Sequence, residues 1–204
     1  MSEGNIKSIG KNIITSSPYT IYQAGILASI VTGDPKYVVF SLFAMIMGDG
    51  FNALEKKIAK KIMGDDSSIG KRPSGCGIGN GKEDDCTGCG IYPSFGNKSV
   101  TWGMPSGHAQ ITSFAATFWT IYVWMKYKNE TDIEKKQILK VKAIVSTIIM
   151  WMLSAGVWSQ RVMSSCHNIF QIIAGVMFGI IFGIIAYKIS TCIFKNKYCT
   201  TRVL

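Results

Sequence analysis

The sequence predicts an all-α integral membrane protein, a bundle of about five transmembrane helices with one long extramembrane loop. Three observations carry that expectation. Apolar residues make up 48% of the 204-residue chain and charged residues only 17%, too few to solvate the surface of a soluble bundle. The apolar residues gather into runs: Ala109 to Met125, Ile144 to Trp158 and Ile169 to Tyr187 contain no charge, and about 20 mostly apolar residues cross a bilayer. Most lysines flank these runs, where their stems can snorkel towards the headgroups.

Taken in order, residues 1–12 read as a polar tail and 13–32 as a first helix. No small-residue cleavage site follows an early apolar stretch, so this helix is expected to act as an uncleaved anchor. Gly33-Asp34-Pro35 is a turn signal. A second helix begins near Lys36 and leaves the membrane through Leu54-Glu55-Lys56-Lys57-Ile58-Ala59-Lys60-Lys61. The segment 64–103 is a polar loop rich in Gly, Ser, Asp and Lys, and loops of that length are commonly functional. A third helix is expected over 106–127, a charged loop over 126–142, a fourth helix over 141–158, a polar loop over 160–168 and a fifth helix over 168–194. No repeat or low-complexity tract occurs, and the whole of 1–204 reads as one domain.

Five crossings place the 64–103 and 159–168 loops on one side and the 126–142 loop on the other. The latter carries Lys126, Lys128, Lys135, Lys136, Lys140 and Lys142, which marks it as cytoplasmic. The other side is then lumenal or extracytoplasmic, at the endoplasmic reticulum or the cell membrane. Cys76, Cys86, Cys89 and Cys166 fall there, where disulfides, a zinc site built on Cys86-Thr87-Gly88-Cys89, or free thiols are open alternatives. Asn97-Lys98-Ser99 and Asn129-Glu130-Thr131 match the glycosylation pattern on opposite sides, so at least one match is fortuitous. The formal charge of +10 does not imply nucleic acid, because the basic residues are not interleaved with aromatics; a bilayer of anionic lipids suits them better.

The chain has two histidines, and each lies in a polar cluster beside an apolar run: His108 in Pro105-Ser106-Gly107-His108, and His167 six residues after Arg161. With Lys71-Arg72-Pro73 these clusters share one side of the bundle. Arg72 and Arg161 can grip phosphate oxygens bidentately. Ser106 and Gly107 open a helix, whose unpaired N–H groups and dipole attract anions. Imidazole can attack phosphorus or carry a proton near neutral pH. No intramembrane carboxylate cluster offers a magnesium site, and no cofactor is expected. Asp49, near the end of the second helix, could hold a site cation or be solvated at the interface.

Arg72-Pro73, Pro105-Ser106-Gly107-His108 and Arg161 with His167 resemble the three ordered signatures of the type 2 phosphatidic acid phosphatase superfamily, which includes membrane lipid phosphate phosphatases and shares its site with vanadium haloperoxidases. The resemblance covers about residues 50–190. It implies His167 as nucleophile, His108 as general acid and base, and Arg72, Ser106, Gly107, Arg161 and a lysine as phosphate ligands. The implied activity is removal of phosphate from a membrane lipid phosphate or diphosphate through a phosphohistidine, without metal. A lipid phosphotransferase, or a non-catalytic scaffold or lipid-binding descendant, are the alternatives.

Four departures from the family pattern stand out. Asp65 occupies the usual lysine position, as if Met63 to Gly70 were inserted, which leaves Lys57 or Lys56 as substitutes and Lys60, Lys61 and Lys71 as further candidates. Gln160 replaces a serine before Arg161, with Ser159 one place earlier. Five helices stand for the usual six. Gln171 replaces an aspartate one turn after His167. Its carbonyl can accept a ring N–H, but it cannot supply charge to an imidazolium. Gln in this slot resembles dolichyl-diphosphate phosphatases and implies a polyprenyl-diphosphate or related substrate.

Overall fold

The computed structural model describes residues 16–74, 89 and 102–194. Within them the regular structure is five helices and one isolated bridge between Lys71 and Trp102. Helix α1 (Ser17–Thr32) carries Pro18 in its first turn, where a missing N–H breaks no helical bond. It stops at Gly33, whose φ of +68° is the left-handed conformation glycine adopts without penalty. Asp34 then accepts a bond from the Lys36 N–H at 3.0 Å and starts the next helix.

Helix α2 (Lys36–Met63) is broken by a π-helical turn, Ile46–Phe51. Such a turn inserts an extra residue and rotates the remainder of the helix about its axis. Gly48 makes room for it: a Cβ there would lie 2.1 Å from the Tyr22 hydroxyl and 2.5 Å from Ile111. Beyond it Asn52 is buried and donates to Gln110 Oε1, and Lys56 comes one turn later on the same face. Asp49 lies in the π turn and is exposed.

Helix α3 (Gly107–Asn129) is the axis of the bundle, and α4 (Ile133–Met163) and α5 (Ile169–Phe194) pack mainly on it and scarcely on each other. Gly175, Gly179 and Gly183 line the face of α5 that meets α3. A Cβ on Gly179 would fall 2.3 Å from the Gln110 carbonyl oxygen, and one on Gly175 2.5 Å from that of Ser106. Four-residue glycine spacing lets two helices touch backbone to backbone, which is a familiar way of joining helices in lipid. Phe40, Phe114 and Phe118 build the apolar core below.

Two expected loops are shorter than the sequence indicated. The charged segment 126–142 is mostly helix, interrupted only between Asn129 and Ile133. Asp132 caps α4 by accepting from the Glu134 and Lys135 N–H groups, and lysine and glutamate are good helix formers, so charge there marks a wet helix end. The 160–168 loop shrinks because α4 runs through Met163, which places Arg161 in its last turn.

Three helices are long and apolar enough to cross a membrane: Lys36–Met63, Ile133–Met163 and Ile169–Phe194. Neither α3 nor the described part of α1 is among them. The first half of α3 is enclosed and carries His108, Gln110, Thr112, Ser113 and Thr117 inward. The outside is apolar, with Ile30, Val31, Met152, Leu153 and Met177 exposed. A soluble bundle would not present so large an apolar surface.

Candidate active site

The site lies where the N-terminus of α3, the α4–α5 turn and the segment around Arg72 meet. Arg161 is the last inward residue of α4, and its carbonyl accepts the N–H groups of both Cys166 and His167, which folds the chain back on itself. Ser165 has a left-handed φ of +54°, a conformation a serine adopts at a cost of about 1 kcal/mol. Asn168 caps α5 by accepting from the Gln171 N–H at 3.0 Å. This strained turn delivers His167, which is 2% exposed, into the bundle.

The two imidazoles sit on one continuous chain of contacts. Arg161 Nη2 lies 2.7 Å from His108 Nε2, and Arg161 Nη1 lies 3.6 Å from Cys166 Sγ. Arg72 Nη1 donates to the Cys166 carbonyl at 2.6 Å and sits 3.1 Å from His167 Nε2. Ser106 caps α3, with its hydroxyl accepting from Ala109 at 3.5 Å, and its own N–H donates to the Gln171 carbonyl at 3.0 Å. Gly107 and His108 are buried in the first α3 turn, whose N–H groups lack helical partners.

Gln171 is wholly buried. Its Oε1 lies 2.9 Å from His167 Nδ1, and its Nε2 donates to the carbonyls of Ile69, Gly70 and Lys71 at 2.9, 3.2 and 2.7 Å. Three carbonyls around one nitrogen fix the amide orientation, since only the NH₂ end can meet them. The Oε1 must then accept from a protonated Nδ1. His167 is therefore the Nδ1–H tautomer, with the Nε2 lone pair facing Arg72. An aspartate could hold the imidazole but could not clasp these carbonyls. Gln171 thus ties the Arg72 segment to the start of α5, assisted by Asn168 Nδ2 on the Ile69 carbonyl at 3.0 Å.

The site is rich in positive charge. Burial holds His167 well below the ordinary imidazole range, and the nearby Arg72 and Lys56 charges push it further down; the bond to Gln171 opposes them. Burial lowers Arg72 to about 10, which still leaves it charged at neutral pH. Among the lysines the sequence left open, Lys56 is half-buried and its charge reaches His167. Lys57 and Lys61 are exposed, Lys60 pairs with Asp65 at 3.3 Å, and Lys71 pairs with Asp66 at 3.0 Å. The structure therefore brings His108, His167, Arg72, Arg161, Ser106, Gly107, Gln171 and Lys56 together and leaves Lys57 outside.

Cys89 is disulfide-bonded to Cys166, 77 residues away, which anchors the long loop at the residue preceding His167. Closing a loop of that length is worth about 4–5 kcal/mol in the chain-entropy account. With Cys89 so engaged, the Cys86-x-x-Cys89 zinc alternative falls, and among the described residues no group of three or more His, Cys, Asp or Glu could hold a metal. Cys76, Cys86 and Asn97 lie outside the described residues. Cys192, at the opposite end of α5, is also disulfide-bonded, so oxidation does not distinguish the two faces of the bundle.

Some of the framework was not read from the sequence. Asn168, an Asn directly before an apolar run, carries a cap signal that could have been recognised. The contact between Asn52 Nδ2 and Gln110 Oε1 at 2.6 Å, and the Trp102 ring against Gly70, had no sequence signal.

Residues 37–194 match the sequence model of the PAP2 superfamily. The chain belongs to the PAP2 superfamily. The match spans every residue of the site, and phosphatase-like chemistry on phosphate esters is what membership suggests. No curated protein and no solved structure matches the chain.

Proposed function

We propose that this PAP2 protein is a metal-independent phosphatase of membrane lipid phosphates or polyprenyl diphosphates, acting through a phosphohistidine on His167. One observation carries the reading: Arg72 lies 3.1 Å from His167 Nε2, the ring nitrogen left without a proton, and Arg161 lies 2.7 Å from His108 Nε2, so a guanidinium stands beside each imidazole. Positive charge placed in this way does the work a metal does elsewhere.

In the resting arrangement each arginine leans on an imidazole nitrogen. A phosphate group entering between them takes both guanidinium groups onto its oxygens and exposes His167 Nε2 to phosphorus. Nε2 forms the N–P bond as the P–O bond to the lipid breaks. Once Arg161 has turned from it to the phosphate, His108 Nε2 takes a proton from water and gives it to the leaving oxygen. The same imidazole then takes a proton from water as that water attacks the phosphohistidine, which frees inorganic phosphate and restores Nε2. Lys56, Ser106 and the α3 N-terminus hold the equatorial oxygens.

Gln171, through the likeness of its slot to that of dolichyl-diphosphate phosphatases, favours a polyprenyl-diphosphate or related substrate. Its clasp on residues 69–71 supports a working site over a non-catalytic descendant. The lysines on the first turns of α4 and the end of α3 favour a cytoplasmic location for that end and an extracytoplasmic one for the site.

The test is phosphate release from lipid phosphates and polyprenyl diphosphates by purified protein with chelator present. Turnover is expected to persist, to vanish in His167→Ala and to fall strongly in His108→Ala. Undiminished release by His167→Ala would remove the nucleophile; no release from any substrate would overturn the enzyme reading.

A further inference from the structure

Helices α4 and α5 leave the site turn as a V. They pack on α3 and scarcely on each other, so a groove opens between them towards the lipid-facing side. It encloses about 550 Å³, and its walls include Ala155, Trp158, Val162, Ile172, Ile173 and Val176, with no charged residue. Its position is set by the catalytic elements. Trp158 and Val162 bracket Arg161 on α4, and Ile172 comes directly after Gln171 on α5, so the apex of the V is the turn that carries His167. Trp158 is fixed there by its indole N–H, which donates to Thr112 Oγ1 at 3.0 Å. Outer positions Met163, Ile173 and Met177 are exposed, so the groove is open along its length.

We infer that this groove holds one hydrocarbon chain of the substrate whose phosphate sits between Arg72 and Arg161. The inference rests on the phosphatase reading and adds where the lipid lies and how much of it is recognised. Position argues for the substrate's own chain: the groove begins at the turn that carries His167, and its walls Val162 and Ile172 directly follow Arg161 and Gln171 in the chain. The volume argues for one chain. Taking about 30 Å³, the liquid share of one water, for a methylene, the groove accommodates roughly eighteen carbons, which is one long acyl chain or a few prenyl units. A second chain, where present, stays in the surrounding bilayer.

Ala155→Phe and the double variant Ala155→Phe, Val176→Phe fill the groove from positions that make no polar contact with the site. Hexadecyl phosphate and butyl phosphate are compared as substrates of the full chain in detergent. The expected result is a KM for hexadecyl phosphate raised by at least about tenfold, the worth of two lost methylene contacts, with butyl phosphate turnover unchanged. Unchanged turnover of the short substrate also reports that the variants fold. Equal KM for hexadecyl phosphate in wild type and variants overturns the groove while leaving the phosphatase reading intact. If the wild type hydrolyses neither substrate, the phosphatase reading fails, and a hexadecyl phosphate with a diazirine at its chain end decides the groove separately. Photolabel on α4 and α5 residues of the groove supports it, and label elsewhere overturns it.

Discussion

Replacing Gln171 by Glu exchanges an amide for a carboxylate of the same shape, and two physical effects then pull in opposite directions. The carboxylate still accepts from His167 Nδ1 and adds negative charge beside the imidazolium that forms in the reaction. In serine proteases the corresponding Asp-to-Asn loss costs about 10⁴ in rate, so a gain is the simple expectation from charge alone. The structure opposes it. The end of the side chain that is NH₂ in the wild type faces the carbonyls of Ile69, Gly70 and Lys71 at 2.7–3.2 Å. Glutamate removes the amide donors: the Ile69 and Gly70 carbonyls keep bonds from Asn168 Nδ2 and the Gly103 N–H, but the Lys71 carbonyl loses its donor, at a cost of about 1–3 kcal/mol. That cost falls on the segment that carries Arg72. Loss of about 2 kcal/mol of phosphate positioning lowers kcat/KM by roughly thirtyfold. The unfolding midpoint in detergent should fall by at least about 2 °C, at about 2–4 °C per kcal/mol for a chain of this size. The assay is kcat/KM for a lipid phosphate together with a thermal melt. A Glu variant that matches or exceeds the wild type in rate, with an unchanged melt, would refute the clasp.

Lys56→Met should weaken binding of inorganic phosphate, read as a raised inhibition constant, whereas Lys57→Met should leave it unchanged; the reverse order would exchange their roles. The depressed His167 imidazole predicts that the acidic limb of kcat/KM lies below about 6.5, the free imidazole value. Its folded pKa is below its unfolded one, so its contribution to stability is complete above the unfolded value and is lost as pH falls towards the folded one. Lys56→Met, which removes a nearby positive charge, should move that acidic limb to higher pH. Gly179→Ala should separate α3 from α5, because the new Cβ would stand 2.3 Å from the Gln110 carbonyl oxygen. A loss of about 1–3 kcal/mol in a denaturation series is expected, and an unperturbed midpoint would contradict the close approach.

The side chains that meet at the site were legible because each belongs to a short motif at a helix end, where sequence spacing and spatial position agree. Arg72, His108, Arg161 and His167 needed only the assumption that antiparallel helices return to the same face. What was not legible depended on distance across the chain. Lys56 and Lys57 are neighbours in sequence, and a π turn several residues earlier decides which of them faces Arg72. Gln171 read as a weakened aspartate because its carbonyl partners lie about a hundred residues away. The membrane character of α4 and α5 is plain from their runs, whereas the charged start of α4 reads as loop because lysine density marks exposure to water and not the absence of a helix. The orientation in the membrane rests on lysine placement, since oxidised cysteines occur at both ends of the bundle.

The polar interior of α3 bears on how the protein is made. A segment holding His108, Gln110, Thr112, Ser113 and Thr117 is a poor candidate for release into lipid alone, since the His108 ring and the Gln110 amide would be stranded in hydrocarbon. Asn52 of α2 meets Gln110, Arg161 and Trp158 of α4 cover His108 and Thr112, and the glycine face of α5 covers Ser113 and Thr117; α4 and α5 are synthesised later. Newly made α3 must therefore wait at the insertion machinery, or at the bilayer surface, until these partners emerge. Assembly of the site and entry into the membrane are then the same event, and a chain halted before residue 169 would carry its histidine helix without a home.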